Sequence, residues 1–268
     1  MLPNHELWPL REAATGRRRE WLIAHRDEPL EPGAQALLQR WMSLRQQGWP
    51  IAYLTGSREF YGRSFWVNSH TLIPRIETEL LVDTALAALR KHPVSSHSER
   101  RLCDLGTGSG CIATTLALEM PGLRVVATDQ SFEALTVARN NAAWLGAAAN
   151  VDFCHGSWWQ ACEGRFHGVV SNPPYIEHND AHLDRGDLRF EPSSALTTGR
   201  PDDRGLSAIE TIVCGAPNYL MPQGFLAIEH GHTQQHDVLS MFQAAGFQHC
   251  EGIADSFGNP RVVIGWVQ

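Results

Sequence analysis

The pattern of apolar and polar positions divides the chain into parts with different periods. Over residues 1–53, apolar side chains recur at spacings of three and four, which predicts amphipathic helices. Residues 58–72 instead carry short aromatic runs on either side of Gly62, which predicts a β-hairpin. A further helix is predicted over 77–90. The residues predicted to face inward in the first part are Trp21, Leu22, Leu37, Leu38, Trp41 and Leu44.

From residue 101 onward, short apolar runs alternate with helical patterns. Strands are predicted at 101–105, 124–128, 150–154, 166–171, 224–229, 247–254 and 261–267. Helices are predicted at 109–119, 131–145, 205–220 and 233–245. This alternation is typical of an α/β fold, with a mainly parallel sheet and helices on both faces.

Composition and charge change this picture little but exclude several classes of protein. The 268 residues are 43% hydrophobic and 19% charged, which is enough apolar material for a substantial core. The net charge of −7 disfavours a protein whose main task is to bind nucleic acid. Six scattered cysteines without a C-x-x-C pair indicate reduced thiols, and no apolar run is long enough to cross a membrane. A cytoplasmic location is therefore expected, since the N-terminus also lacks the apolar core of a signal peptide.

A glycine-rich loop, "CDLGTGSGC" at 103–111, follows the first predicted strand of the sheet. Glycines at 106, 108 and 110 allow a tight turn and a close approach of the backbone to a ligand. Asp129 ends the next strand, where its carboxylate can accept hydrogen bonds from both hydroxyls of a ribose. A nucleotide-like ligand is thus predicted, with a simple tight turn as the alternative. The lysine of a triphosphate-binding loop is missing.

The stretch "SNPPYI" at 171–176 ends the fourth predicted strand. Two prolines stop regular structure there, because each lacks an N–H and has a fixed φ. The side-chain oxygen of Asn172 and the carbonyl of Pro173 can form two fixed acceptors for a planar NH₂ group. Pro174 stiffens this arrangement, and Tyr175 offers a flat face for stacking. A merely stiff turn is the alternative, but the glycine loop and Asp129 reach the same edge of the sheet.

Two resemblances connect these motifs to methyl transfer. The form D-x-G-x-G-x-G resembles the first motif of methyltransferases that use S-adenosylmethionine (SAM). That resemblance implies that Asp104 and the loop face the methionine part of SAM and that Asp129 holds the ribose. Trp158, just after the third strand, is predicted to lie against the adenine, with a core tryptophan as the alternative. NPPY resembles the signature of enzymes that methylate planar nitrogens, either adenine N6 or glutamine N5.

More distant segments favour glutamine. The stretches 50–86, 172–196 and 224–231 resemble the HemK/PrmC family of peptide chain release factor glutamine methyltransferases. The resemblance implies a helical domain at 1–53 that docks the release factor, a β-hairpin linker at 54–76, and a Rossmann-like SAM-binding domain at 77–268. It also implies methyl transfer to the glutamine amide of the Gly-Gly-Gln motif in class 1 release factors, which modulates translation termination. No membrane and no direct nucleic-acid partner are expected.

Carried over by position, the resemblance assigns the site residues. The residues implied to bind SAM are Asp104, Gly106, Thr107, Gly108, Ser109, Gly110, Asp129, Trp158 and Asn172. The residues implied to hold the glutamine are Asn172, Pro173, Pro174 and Tyr175. This chain departs from the family at Ile76, where a proline is usual, and its N-terminal part is about one helix shorter.

Four other functions remain open at this point. A related enzyme methylates a glutamine of a ribosomal protein with the same NPPY, but the "ETE" at 77–79 favours release factors. An adenine-N6 methyltransferase would need a basic surface for the phosphate backbone. A nicotinamide-dependent dehydrogenase would leave NPPY unexplained, and a non-catalytic SAM-binding scaffold is the fourth.

Overall fold

The computed structural model describes residues 2–92 and 99–268. Four helices form its N-terminal part, and glycines with a positive φ end the first and the fourth of them, at Gly16 and Gly56. The side chains of Leu10, Leu22 and Leu38 are buried in these helices. The helices are α1 (Asn4–Thr15), α2 (Arg19–Ala24), α3 (Pro32–Gln46) and α4 (Ile51–Thr55).

The prediction that Trp21 faces inward is wrong. Its side chain is 40% exposed and stacks on His25, with the two ring centroids 4.0 Å apart. The Arg17 guanidinium also lies over the Trp21 ring. Neighbouring residues on a helix point about 100° apart, so the short helix α2 buries Leu22 and leaves Trp21 at its edge.

A β-hairpin follows, formed by the antiparallel strands β1 (Ser57–Phe60) and β2 (Arg63–Trp66). Both residues of its turn, Tyr61 and Gly62, have a positive φ, as a type I′ turn requires. The hairpin is shorter than the predicted range of 58–72. Beyond it, the side chain of Asn68 accepts a hydrogen bond from the backbone N–H of His70, a local turn that competes with strand pairing.

The remaining chain builds a seven-stranded sheet in the order β5-β4-β3-β6-β7-β9-β8. Its first five strands are parallel, while β9 runs antiparallel to both β7 and β8. The strands are β3 (Arg100–Leu105), β4 (Leu123–Asp129), β5 (Val151–His155), β6 (Phe166–Ser171), β7 (Leu220–Glu229), β8 (Gln248–Ala254) and β9 (Pro260–Trp266).

Helices pack on both faces of this sheet, and each face has its own apolar core. All six residues of the central strand β6 are buried, as expected of a parallel strand that is covered on both faces. The helix predicted over 205–220 is shorter, because Pro217 has no N–H to continue it and a 3₁₀ turn takes over. The helices are α5 (Glu79–Lys91), α6 (Cys111–Glu119), α7 (Phe132–Leu145), α8 (Ser193–Leu196), α9 (Ser207–Gly215) and α10 (Gln235–Ala244).

The strand order positions the functional site. From β3, the chain continues outward to β4 and β5 on one side, then returns to β6 on the other side. Crossover loops therefore leave β3 and β6 in opposite directions, and a crevice opens beyond the carboxyl ends of these strands. The glycine loop, Asp129 and Asn172 all follow strands at this edge.

Candidate active site

A cleft of about 880 Å³, partly open to solvent, lies at this edge of the sheet. The segment 70–75, which joins the hairpin to α5, forms one of its walls. Asp104, Gly110, Pro173 and Tyr175 do not line it. The sequence-predicted site residues that line the cleft are Gly106, Thr107, Gly108, Ser109, Asp129, Trp158, Asn172 and Pro174.

The glycine loop needs its glycines for conformation and for space. Gly106, Gly108 and Gly110 have φ values of +73°, +55° and +78°, in the region that disfavours other residues. A Cβ on Gly110 would come within 2.9 Å of the Cβ of Ala138, on helix α7. A Cβ on Gly106 would approach the Trp158 ring to 3.3 Å. The loop can therefore bring its backbone close to a ligand on one side and to α7 on the other.

The carboxylate of Asp129 connects two backbone segments of the cleft. One oxygen accepts a hydrogen bond from the N–H of Gly108, and the other accepts one from the N–H of Ser131, both at 2.9 Å. Burial raises the pKa of Asp129, while these hydrogen bonds oppose the rise. Each oxygen keeps a second lone pair, so the group can still accept hydrogen bonds from a pair of ribose hydroxyls.

Asp104 lies beneath the loop and is fully buried. It accepts a hydrogen bond from the hydroxyl of Thr107 at 2.6 Å. Burial raises the pKa of Asp104 to about 7. Its carboxylate thus orders the glycine loop from below, and any effect of Asp104 on a ligand in the cleft would act through Thr107, which does line it.

Trp158 begins a 3₁₀ turn after β5 and has a φ of +48°, which is uncommon for a residue with a side chain. The neighbouring Ser157 and Gln160 form a capping box that holds this turn. The ring packs over Gly106 and faces the cleft on the same side as Asp129. A planar ligand group beside Asp129 would find an aromatic surface here.

Asn172 stands between this cleft and a smaller pocket of about 420 Å³. Its amide nitrogen donates a hydrogen bond to the hydroxyl of Thr78 at 3.0 Å. The side-chain oxygen of Asn172 is thereby left as an acceptor. Pro174 borders the cleft, whereas Pro173 and Tyr175 line the smaller pocket. The NPPY tetrapeptide therefore lies between two spaces, with Asn172 lining both of them.

The hydroxyl of Tyr175 donates a hydrogen bond to Glu229 at 3.1 Å, at the end of strand β7. Glu229 is 1% exposed, and burial raises its pKa to about 7. Thr78 and Glu229 were not among the predicted site residues, although both lie in segments that carry the family resemblance. A signal was present in the sequence, because Glu229 is a charged residue that ends an apolar strand at the ligand edge of the sheet.

The segment 187–191 ties the N-terminal helices to the active site. Asp187 pairs with Arg45 at 2.9 Å, and Arg45 also contacts Glu6 on helix α1. Glu191 is 6% exposed, pairs with Arg75 and accepts a hydrogen bond from the N–H of Ile73 at 2.9 Å. Residues 187–191 thus form a strap between helix α3 and the wall of the cleft.

The structure offers neither a metal site nor a membrane span in residues 2–92 and 99–268. No group of three or more histidine, cysteine, aspartate or glutamate side chains there could hold a metal ion. None of the helices in the same ranges is both long and apolar enough to span a bilayer.

Two family models match the chain. Residues 2–56 match the PrmC N-terminal domain, and residues 78–190 match the methyltransferase small domain. Solved structures with low sequence identity share the fold. A methyltransferase from Pyrococcus furiosus has a TM-score of 0.54 at 16% identity, covering 85% of this chain and 98% of its own. The hMettl16 catalytic domain has a TM-score of 0.59 at 14% identity, covering 81% of this chain and 80% of its own.

Relatives of known name are much more similar in sequence. The release factor glutamine methyltransferase of Bordetella pertussis is 42% identical, over 99% of this chain and 96% of its own length. Its counterpart in Burkholderia pseudomallei is 46% identical, over 90% and 84%. That of Escherichia coli K12 is 39% identical, over 98% and 92%. The chain therefore belongs to the family of release factor glutamine methyltransferases.

Proposed function

We propose that this chain transfers a methyl group from SAM to the side-chain nitrogen of the glutamine in the Gly-Gly-Gln motif of class 1 release factors, in the cytoplasm. The observation that carries the proposal is the position of Asn172 between the two pockets, with its nitrogen donating a hydrogen bond to Thr78. Its oxygen is then an acceptor at the boundary of the two pockets. A primary amide needs an acceptor for each N–H. Once the nitrogen carries the methyl group it is far more acidic, so it can release one proton to solvent without a strong base such as a lysine.

The second acceptor in the proposal is the carbonyl of Pro173, which Pro174 holds in place. Two fixed acceptors orient the glutamine NH₂, so that its remaining electron density points toward the larger cleft. Fixing one reactant in this way removes much of the entropic barrier to attack. The same two dipoles stabilise the positive charge that develops on the nitrogen. Tyr175 lines the smaller pocket and offers its ring to the planar amide.

The larger cleft fits SAM on three counts. Asp129 has free lone pairs for a ribose, Trp158 offers an aromatic face, and the glycine loop admits close backbone contact. When bound, SAM supplies an electrophilic methyl group on sulfur. The residues proposed to hold it are Gly106, Thr107, Gly108, Ser109, Asp129, Trp158 and Asn172 from the cleft, supported by Asp104 beneath the loop and by Gly110 at the end of the loop.

In the same proposal, residues 1–53 dock the body of the release factor. The strap supports this assignment, because it connects helix α3 to the pocket that Tyr175 lines. Leu188, within the strap, is itself a wall of that pocket. A protein bound to the helices would therefore lie next to the entrance for its glutamine.

The test uses SAM carrying a labelled methyl group and three acceptors: a class 1 release factor, a large-subunit ribosomal protein and nucleic acid. The proposal expects label in the release factor alone, and loss of that label with Asn172→Ala. Label in nucleic acid only, or in the ribosomal protein only, would show that this acceptor is the substrate and that release factors are not. Calorimetry with Asn172→Ala should still show SAM binding, since the acceptor acts on the amide.

A further inference from the structure

The shape of an asparagine amide does not determine which way it faces. Its oxygen and its NH₂ group are nearly equal in size, and only hydrogen bonding tells them apart. In the proposed reaction, Asn172 must present its oxygen to the glutamine NH₂. A flipped amide would bring a donor against a donor, and the nitrogen of the substrate would lose one of its two acceptors.

The structure contains a partner that could fix this orientation, but the partner is itself ambiguous. The nitrogen of Asn172 donates to the hydroxyl of Thr78, a residue 94 positions away in the chain. Thr78 lines the cleft but is only 2% exposed, so its hydroxyl has little contact with water. A hydroxyl can equally well donate, and a donating Thr78 would favour the flipped amide. Something must take up the proton of Thr78.

Glu229 is placed to take it. The second carboxylate oxygen of Glu229, Oε2, is buried and has no hydrogen-bond partner among the described residues, so it can accept the proton of Thr78. Thr78 also lowers the pKa of this acid, against the larger rise caused by burial, which is the direction expected when a hydroxyl donates to a carboxylate. The hydroxyl of Tyr175 also donates to Glu229, at 3.1 Å. An ionised carboxylate is only an acceptor, so Glu229 can receive the protons of both hydroxyls. Thr78 is then left with its lone pairs for Asn172.

We propose that Thr78 and Glu229 are positioning residues that orient the Asn172 amide, with ionised Glu229 drawing the Thr78 proton so that Thr78 accepts from Asn172. The inference rests on the proposed role of Asn172 in holding the glutamine. The direction of one hydrogen bond thus determines the direction of the next. The three side chains involved are Glu229 at the end of β7, Thr78 in the turn before α5 and Asn172 directly after β6. Neither Thr78 nor Glu229 needs to touch the glutamine.

Protonation of Glu229 reverses the direction of the hydrogen bonds that link Glu229, Thr78 and Asn172. A protonated carboxyl can donate to Thr78, which then donates to Asn172 and turns the NH₂ of the amide toward the substrate. Burial raises the pKa of Glu229 to about 7, so this reversal sets in as the pH falls through neutrality. Methyl transfer should therefore be lost on the acid side.

The charges around Glu229 agree with this direction. Arg261, on β9, lowers the pKa of Glu229, and Glu77, in the turn before α5, raises it. Burial lowers the pKa of His230, next in the chain, and thus favours its neutral form. Burial also raises the pKa of the Cys111 thiol to about 12, which keeps it uncharged. Asp104, whose pKa burial also raises to about 7, lies beneath the glycine loop and pairs with Thr107 rather than with Thr78. The acid limb of Glu229 is therefore identified by its loss in a Glu229 variant.

The decisive test is a double-mutant cycle of Thr78→Val with Asn172→Asp. An aspartate presents an acceptor oxygen whichever way it turns, so it does not need Thr78 for orientation. In the Asn172 background, Thr78→Val should lower kcat about 10- to 100-fold, whereas Thr78→Ser should stay within about threefold of the wild type. In the Asn172→Asp background, which is itself slower, Thr78→Val should cost less than about threefold. Any change that Thr78→Val causes in SAM affinity should be the same in both backgrounds, because Thr78 and Asn172 both line the cleft and the coupling concerns the amide alone.

An equal loss from Thr78→Val in both backgrounds would show a packing role and overturn the inference. So would full activity of Thr78→Val beside an inactive Asn172→Ala. If Asn172→Ala itself keeps full activity, the proposed role of Asn172 fails first. Should Thr78→Val not fold, Glu229→Gln gives a second test. We expect the kcat of the wild type to fall below pH 7 and that of Glu229→Gln to be independent of pH in this range, because the variant has no carboxyl group to protonate. An unchanged acid limb in Glu229→Gln would contradict the inference.

Discussion

Replacing Asp129 with asparagine tests the proposed ribose site directly. In the wild type, the two carboxylate oxygens accept the N–H groups of Gly108 and Ser131, each at 2.9 Å. Asparagine keeps one oxygen and puts an NH₂ group against one of these donors. One ribose hydroxyl then loses its charged acceptor. The NH₂ group also faces the N–H of Gly108 or of Ser131, and the two donors repel each other. The loss of one or two charge-assisted hydrogen bonds corresponds to about 2–4 kcal/mol, or about 30- to 700-fold in the Kd for SAM.

Isothermal calorimetry with SAM measures this change. Asp152→Asn is a matched control, because Asp152 is an exposed carboxylate on the neighbouring strand β5 and lies outside the cleft. The control should leave the Kd unchanged, and both variants should bind one SAM per chain. If Asp129→Asn binds SAM within threefold of the wild type while remaining folded, Asp129 does not hold the ribose.

Three further perturbations follow from the structure. Tyr175→Phe removes one donor from Glu229 and so raises the pKa of that acid; the acid limb of the kcat profile should move to higher pH, and an unmoved limb would separate Tyr175 from Glu229. Glu191→Ala leaves the buried N–H of Ile73 without its acceptor and removes the ion pair between the strap and Arg75. Chemical denaturation should show that the free energy of unfolding falls by about 2–4 kcal/mol. Glu6→Ala, which removes an ion pair with Arg45 in the N-terminal helices, should lower it by no more than about 1 kcal/mol. Burial raises the pKa of Asp104 to about 7, above its unfolded value, so the folded state holds an extra proton from about pH 4 to 7 and loses stability as pH rises through that range. Between pH 5 and 7, the free energy of unfolding should therefore fall less steeply with pH in Asp104→Asn than in the wild type, by up to about 1.4 kcal/mol per pH unit. Equal pH dependence of the two proteins would contradict a raised pKa of Asp104.

Local patterns predicted the parts of the fold that local physics controls. The seven strands lie within a few residues of their predicted positions. For the central strand β6 the reason is burial on both faces, which favours a run of mostly apolar residues. The cleft assembled as predicted from the glycine loop, Asp129 and Asn172, since each follows a strand at the same edge. The apolar spacing gave a wrong prediction at Trp21, because a local contact determines where its side chain lies. The Trp21 ring stacks on His25 instead of packing into the core.

The support behind the site could not be read from the sequence. Thr78 and Asn172 are 94 residues apart, and Tyr175 and Glu229 are 54 apart, so no local spacing announces these hydrogen bonds. The strap is similar, because Asp187 is 142 residues from its partner Arg45. These contacts depend on how β6, β7 and the helices are brought together. A polar residue at a strand end signals that some partner exists, but only the tertiary structure identifies it.

Methyl transfer to a glutamine amide at the NPPY segment can be measured by incubating a purified class 1 release factor with this protein and SAM, then locating the modification by tandem mass spectrometry. We expect one added methyl on the side-chain nitrogen of the Gly-Gly-Gln glutamine. We expect none when that glutamine is replaced by asparagine, whose amide is one carbon too short to reach Asn172. A methyl on another residue, or methylation that persists in the asparagine variant, would contradict the proposed methyl transfer.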